Sequence, residues 1–339
     1  MERALKFAAL GIEHRHIFGM AQSMATEGAK FVGWWNDGDP MILDGFKKRF
    51  PDVPRATDRD TLLADPDIDL ILIADVPRRR AALAIEAMQA GKDVMVDKPG
   101  CTTLEQLDAL RATQAETGRI WSVDFSERFE VPSVTRASEL VAEGAIGRVV
   151  QTVGLGPHRL NKPTRPDWFF DRDAYGGILC DIASHQIDQF LHFTGATDAE
   201  VTLASVGNYA NPATPGLQDF GELALRSPEG HGYIRVDWYT PDALPNWGDG
   251  RLTILGTDGY IELRKYVDVG GAPGTDHLVL VNGTRCEKVD CATAGLPYFG
   301  RLAADIRDRT ETAMSQAHCF TVMELAIRAQ RMAEGATRP

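Results

Sequence analysis

Two segments of the chain bring together residue types that could move a proton. The first, Asp93-Val94-Met95-Val96-Asp97-Lys98-Pro99, is an apolar strand ending in Asp-Lys-Pro. The second runs Gly176-Gly177-Ile178-Leu179-Cys180-Asp181-Ile182-Ala183-Ser184-His185-Gln186-Ile187-Asp188 and sets Asp181 and His185 four residues apart. On one helix that spacing stacks both side chains on the same face. An imidazole titrates near neutral pH and a carboxylate can orient it, while a lysine ammonium can hold a developing alkoxide. Such a set suits chemistry on an alcohol or ketone.

The elements that must position these residues follow from the pattern of apolar runs. The first part of the chain alternates short apolar runs with amphipathic stretches, as βα units do. Strands are predicted over Leu5–Leu10, Lys30–Trp35, Leu70–Ala74, Asp93–Val96 and Ile120–Phe125. Helices are predicted over Ile17–Glu27, Met41–Phe50, Thr61–Ala64 and Arg78–Ala90. Thr102-x-x-Glu105 reads as a capping box opening a further helix to Glu116. Leu70-Ile-Leu-Ile-Ala74 lacks polar alternation, as expected of a parallel strand covered on both faces. The expected architecture is α/β, a doubly wound, Rossmann-like parallel sheet whose ligands bind at the C-terminal strand ends.

The second half instead predicts short strands at Val149–Leu155, Val201–Val206, Gly221–Arg226, Tyr233–Trp238, Leu252–Leu255, Tyr260–Leu263, Leu278–Val281 and Glu287–Val289. Helices are predicted near Tyr298–Met314 and Phe320–Glu334. This pattern reads as an α+β domain with a mostly antiparallel open sheet. The expected division is 1–125 for dinucleotide binding and 126–339 for substrate and oligomer contacts, with the C-terminal helices packing back on the first domain. An open sheet of this kind offers a face for pairing, so a homo-oligomer, dimer or tetramer, is expected.

The chain has 339 residues, 44% hydrophobic and 25% charged, ordinary for a soluble globular protein and enough for two domains. A formal net charge of −12 argues against nucleic acid or an anionic membrane as partner. The five cysteines, Cys101, Cys180, Cys286, Cys291 and Cys319, form no Cys-x-x-Cys pair and read as free thiols. With no signal-peptide pattern and no membrane-length apolar run, the expected location is the cytoplasm.

With these segments in view, the chain resembles the glucose–fructose oxidoreductase/inositol dehydrogenase (Gfo/Idh/MocA) family. The resemblance runs over nearly the whole length. It is carried by Gly91-Lys-Asp-Val-Met-Val-Asp97-Lys98-Pro99, Gly144-Ala-Ile-Gly147-Arg-Val, Gly176-Gly177-x-x-x-Asp181-x-x-x-His185-x-x-Asp188 and Leu255-Gly256-Thr257-Asp-Gly259. Their order and spacing make the set specific, where each alone would be weak. The resemblance implies a nicotinamide-linked oxidoreductase acting on a hydroxyl or keto group of a sugar, cyclitol or related polyol. Lys98, Asp181 and His185 fall on the family's catalytic positions. His185 would take the hydroxyl proton as hydride leaves, Asp181 would fix its tautomer, and Lys98 would donate to the alkoxide. Cofactor contacts are implied from Gly11, Ile12, Glu13, His14, Asn36 and Asp37. Others are implied from Ala74, Asp75, Pro77, Asp97 and Lys98. Two other outcomes stay open: an NAD-retaining glycosidase or lyase of the same fold, and a non-catalytic dinucleotide- or sugar-sensing protein.

The chain also departs from the family. Its first motif usually reads Glu-Lys-Pro, so Asp97 is one methylene short. A dinucleotide fold wants Gly-x-Gly-x-x-Gly after the first strand; here the segment is Gly11-Ile12-Glu13-His14-Arg15-His16-Ile17-Phe18-Gly19, with Glu13 in the second glycine position. A carboxylate there is awkward for a pyrophosphate. Either His14, Arg15 or His16 replaces the backbone contacts, or affinity is low, or the site is lost. After Trp34-Trp35, Asn36 stands where the family commonly has an acid. Asn36 or Asp37 could accept from a ribose 2′-hydroxyl, and no arginine follows directly to take a 2′-phosphate, so NAD is preferred over NADP. In Asp75-Val76-Pro77-Arg78-Arg79-Arg80, Arg80 replaces a family histidine, and the three arginines read as a basic helix start with solvated side chains.

His14-x-His16 also opens metal-dependent amidohydrolases, but those need a (β/α)₈ barrel with further ligands at later strand ends, which this chain does not supply. No metal is therefore expected, and the loop reads as facing phosphate or substrate. The substrate pocket is expected between the helix carrying His185 and the open sheet, with Arg128, His158, Arg159, Trp168 and Tyr239 as lining candidates. Arg128 matches a family arginine; Asp188 continues the stripe of Asp181 and His185 and could bond an arginine; Trp247 has no assigned role.

Overall fold

The computed structural model describes residues 3–336. In chain order the elements are β1 (Lys6–Leu10), α1 (Ile17–Thr26), β2 (Lys30–Trp35), α2 (Leu43–Arg49), α3 (Arg59–Ala64), β3 (Leu70–Ile73), α4 (Pro77–Gln89), β4 (Asp93–Asp97), α5 (Leu104–Thr117) and β5 (Trp121–Asp124). There follow α6 (Ser126–Phe129), α7 (Pro132–Ala142), β6 (Val149–Pro157), α8 (Arg172–Tyr175), α9 (Ile178–Asp181) and α10 (Ala183–Thr194). Then come β7 (Glu200–Gly207), β8 (Phe220–Arg226), β9 (His231–Asp237), β10 (Arg251–Gly256), β11 (Gly259–Arg264), β12 (His277–Asn282) and β13 (Cys286–Val289), and finally α11 (Pro297–Asp308) and α12 (Gln316–Ala336). None of these helices is long and apolar enough to cross a membrane.

The described residues divide into two compact units. The first holds the residues up to 124 with 173–176 and 297–320; the second holds 125–172, 177–296 and those from 321 on.

The first unit is a five-stranded parallel sheet in the order β2-β1-β3-β4-β5. The Leu-Ile-Leu-Ile run of β3 is at its centre and fully buried, as its lack of alternation required. Burying each such side chain stabilises the fold by about 1.5–3 kcal/mol. The strand order reverses between β1 and β3, so the C-terminal edge there is the switch point where an α/β sheet takes ligands.

Two sequence expectations shift in this unit. The capping box opens one residue later than Thr102-x-x-Glu105. Thr103 is the extended residue before α5, and its hydroxyl accepts from the Gln106 amide at 3.2 Å, while Gln106 Oε1 accepts from the Thr102 amide at 2.9 Å. This register turns Leu107 and Leu110 inward. Thr103→Ala should therefore cost about 1 kcal/mol in urea unfolding, and Thr102→Ala, which keeps its backbone donor, clearly less; equal losses would count against this register. The predicted helix to Met314 stops at Asp308 instead. Arg309 turns left-handed at φ 56°, and the Asp305 carboxylate accepts from the amides of Thr312 and Ala313, drawing the chain into a loop. Arg309 then grips Asp93 with two bonds of 2.7 Å.

The second unit is an eight-stranded sheet in the order β13-β12-β11-β10-β6-β9-β8-β7. Every pair is antiparallel except β6–β9. Helix α10 packs on β6 and β9. Gly154 of β6 permits this: a Cβ there would sit 2.7 Å from Cγ of Gln186. Beside it, Val134, Ala137 and Leu140 of α7 join Leu252, Ile254, Ile261, Leu263, Leu278 and Leu280 in a core over β10–β12.

Candidate active site

Expected cofactor residues line the C-terminal edge of the first unit's sheet. Gly11 directly follows β1 at φ +74°, and a Cβ on it would lie 2.4 Å from Cβ of Asp75, so only glycine makes this turn. Gly11 N–H donates to Trp35 O (2.9 Å), Ile12 N–H to Asn36 Oδ1 (2.7 Å) and His14 N–H to Ala74 O (2.8 Å). These three loop amides are thus satisfied within the protein. Glu13 is turned to Asn36, whose Nδ2 donates to it at 3.0 Å. Asp75 is buried beneath the turn; burial pushes its carboxyl up against the pull of Arg79, which bonds it at 2.9 Å. Pro77 opens α4.

At the end of β2 lies a cavity of about 480 Å³ lined by Trp35, Asn36, Asp37, Gly38, Arg55, Ala56 and Thr57. In a dinucleotide fold the ribose and its base bind at this strand end. Arg55 donates to the Asn36 and Gly38 carbonyls and pairs with Asp39, and Arg79 lies 3.5 Å from Asp37. The chain therefore carries arginines beside Asn36 and Asp37 that arrive from other elements rather than directly after the strand. This cavity and the Gly11 turn fit a dinucleotide at its adenosine half. The pyrophosphate end is altered: the second glycine position holds Glu13 and the third holds His16. Of the three residues weighed as replacements for the backbone contacts, Arg15 is exposed, while both histidines are engaged with Asp97.

That engagement joins three of the chain's departures from its family. His14 Nδ1 and His16 Nδ1 lie 2.7 and 2.8 Å from the two oxygens of Asp97, and their rings meet edge-on at 4.3 Å. Arg80 donates to the same carboxylate at 2.8 Å and to the carbonyls of Asp75, Asp97, Lys98 and Pro99. The expectation that Arg80 is solvated is therefore corrected. It is 1% exposed, because this ring of carbonyls and one carboxylate satisfies its fixed fork of donors. Burial alone would raise Asp97, but Arg80 and the two imidazoles outweigh it and hold the carboxyl well below its ordinary range. Burial pushes His14 down to about 3 in spite of Asp97, so at neutral pH it is uncharged. Lys98, next along the strand end, is itself buried.

In the second unit, Asp181 and His185 do not share one helix as the spacing suggested. Asp181 ends α9 and His185 lies in the first turns of α10, with a break at Ile182. There the His185 amide bonds Ile182 O, three residues back, the tighter 3-10 pattern that interrupts the α-helical run between them. Both side chains are buried. Asp188 meets Arg128 in a fork of two 2.6 Å bonds, so Arg128 is turned inward onto α10. His158 packs its ring on Trp238 and Trp247 at 5.3 and 4.7 Å, which gives Trp247 a role. Trp168 is half-buried against Phe169, Arg159 is bound to the carbonyls of Pro241 and Leu244, and the Tyr239 hydroxyl donates to Asp219.

One group escaped the sequence reading. Glu127 and Lys265 form a fully buried pair at 2.7 Å, with Gln186 donating to Glu127 at 2.9 Å and Gln189 accepting from Lys265 at 3.1 Å. Burial alone would raise Glu127, but Lys265, then His185 and His158, outweigh it and hold the carboxyl at about 2. The pair is separated by 138 residues, and no periodicity in the sequence joins Ser-Glu-Arg-Phe to the end of β11. Gln186, Gln189 and His185 project from one helix, α10, so the Glu127–Lys265 pair also fixes the ground on which His185 stands.

A doubly wound parallel-sheet unit and an α+β unit with a wide, mostly antiparallel sheet define the class of fold. Two family profiles match: the oxidoreductase family with NAD-binding Rossmann fold over residues 18–125, and the GFO/IDH/MocA C-terminal domain over residues 134–262. The chain is 47% identical to a protein of Erwinia carotovora atroseptica SCRI1043, named provisionally as an oxidoreductase. Its crystal structure superposes with a TM-score of 0.94 over 97% of this chain and 98% of that one. The chain belongs to the Gfo/Idh/MocA oxidoreductase family. It is also 29% identical to levoglucosan dehydrogenase of Pseudarthrobacter phenanthrenivorans, over 54% of this chain and 47% of that protein, so the match spans about half of that relative's length. It is 28% identical to the NAD⁺-dependent scyllo-inositol 2-dehydrogenase of Bacillus subtilis, over 77% of this chain and 74% of that protein.

Proposed function

We propose that the protein is a nicotinamide-linked dehydrogenase, or the reductase in reverse, acting on a hydroxyl or keto group of a sugar, cyclitol or related polyol. The observation that carries this reading is the burial of all three residues at the family's catalytic positions: Lys98, Asp181 and His185 are each less than a tenth exposed. In such a water-excluded setting the hydrogen bonds and charges of an ammonium, a carboxylate and an imidazole act on a reacting oxygen more strongly than they would in water. When bound, the nicotinamide supplies the hydride acceptor or donor. His185 accepts the hydroxyl proton, Asp181 orients it, and Lys98 donates to the oxygen as its charge develops. The names of the levoglucosan and scyllo-inositol dehydrogenases support a polyol as substrate.

NAD is favoured over NADP. Asn36 and Asp37 offer acceptors for a ribose 2′-hydroxyl, while Arg55 is committed to Asp39 and two carbonyls and Arg79 to Asp75. The substrate side is assigned to Arg128, His158 and Trp168 along with Asp181 and His185. The protein is a homo-oligomer through its open sheet, where Leu203, Leu255 and Tyr260 are exposed large side chains.

Thermal unfolding with NAD, NADH, NADP and NADPH in titration tests the reading. Ligand at a hundredfold excess over Kd adds about 2.7 kcal/mol to stability, so a saturable rise in Tm is expected, larger for the NAD forms. The absence of a shift with all four at millimolar ligand would overturn it.

A further inference from the structure

We propose that His14, His16 and Asp97 bind one divalent transition-metal ion of the imidazole-preferring kind, such as Zn²⁺ or Co²⁺. Both histidines belong to a turn between β1 and α1, not to a helix, and their Nδ1 atoms converge on a carboxylate from the end of β4. One ligand atom from each of the three residues lies within 4.8 Å of the others. Metal–nitrogen and metal–oxygen bonds of about 2.0–2.2 Å bridge such spacings after small side-chain rotations. Asp97 is fully buried and fixed by Arg80, the kind of outer partner that orients a metal-binding carboxylate.

The local charge selects among ions. Arg80 already offsets the charge of the single carboxylate, so Coulombic attraction for a dication is weak. Binding must come from nitrogen lone pairs. That excludes hard, oxygen-seeking Mg²⁺ and Ca²⁺ and favours ions that imidazole suits. Three protein ligands leave at least one position of a four-coordinate ion for water or an oxygen of a small molecule. The loop that carries the site is the one in which Glu13 and His16 occupy glycine positions and the amides of Gly11, Ile12 and His14 are already bonded. A cation there would supply positive charge that the backbone no longer offers to an anionic oxygen.

The test is titration of chelator-stripped, full-length protein with Zn²⁺ by calorimetry and with Co²⁺ by visible absorption, using Mg²⁺ and Ca²⁺ as comparators. One equivalent of Zn²⁺ should bind, Co²⁺ should give saturable d–d bands, and Mg²⁺ and Ca²⁺ should do neither. His14→Ala and His16→Asn should each weaken binding by more than about a hundredfold, beyond the 10–100-fold typical of losing an outer partner. Circular dichroism checks folding; if His14→Ala does not fold, His16→Asn, at the more exposed ligand, decides. The proposal is overturned if the wild type shows no saturable binding, if the His16 variant binds equally well, or if Mg²⁺ competes at equal concentration. NADH binding to the stripped protein, followed by fluorescence, is read separately. Nucleotide binding without a metal site sinks this proposal and leaves the oxidoreductase reading standing; a metal site without nucleotide binding does the reverse.

Discussion

Replacing Lys265 by Met should lower the stability of the folded protein at pH 7 by about 3–5 kcal/mol, the usual cost of removing one partner from a buried ion pair. The ammonium is 0% exposed and lies 2.7 Å from Glu127. Glu127 Oε1 is itself buried and has no hydrogen-bond partner, so little remains to compensate the charge once Lys265 is gone. Lys265→Met combined with Glu127→Gln should recover much of the loss, because an apolar group beside an amide leaves no buried ion. Urea unfolding of the two single variants and the double variant measures this. A loss under 1 kcal/mol for Lys265→Met would show that the pair is not desolvated as the structure has it. The wild type should carry a matching pH signature. Glu127 is held at about 2 when folded, against an ordinary 4.5. The unfolded chain therefore binds this proton more readily, and the contribution of Glu127 to stability is complete above about pH 4.5 and fades as pH falls toward 2. In Glu127→Gln that part of the acid destabilisation should vanish.

His185→Asn should lower kcat by about 10²–10⁴-fold, the range spanned by a positioned general acid or base. Asparagine keeps a polar group at a position where His185 is only 2% exposed, so the fold should survive. An interaction made in the transition state lowers kcat and kcat/KM together. KM and the affinity for the nucleotide should therefore change little. Steady-state rates on a polyol that the wild type turns over, with NADH binding in parallel, test this. A variant within threefold of wild-type kcat would remove His185 from the proton path.

Much of the fold was legible because its signals are local. The unbroken apolar run of β3, the alternation in the later strands and the Gly-Gly start before Ile178 each report on a few neighbouring residues. All five strands of the parallel sheet and all eight of the second sheet stand where the patterns put them. Several errors were of termini and register, while the helix α7 over Pro132–Ala142 was not foreseen and the single helix expected to carry Asp181 and His185 is two. The capping box slid by one residue because the burial of Leu107 and Leu110 decides which threonine caps the helix. The helix α11 ended early because Asp305 bonds amides seven and eight residues on.

The site divides along the same line. Residue type and order were sufficient to place the chain in its family, to mark the Gly11–Gly19 loop as altered, and to nominate Lys98, Asp181 and His185 as candidates, since motifs are strings in sequence. Tertiary structure alone decided that the oddities share one place. His14, Arg80 and Asp97 looked like separate departures, and Arg80 looked solvated; folded, they meet around one carboxylate across up to 83 residues of chain. Glu127 with Lys265 and Arg128 with Asp188 are likewise long-range pairs. Whether a charged side chain is solvated or buried depends on which distant groups satisfy it, and that partner is set by the packing of sheets and helices, not by its neighbours in the chain.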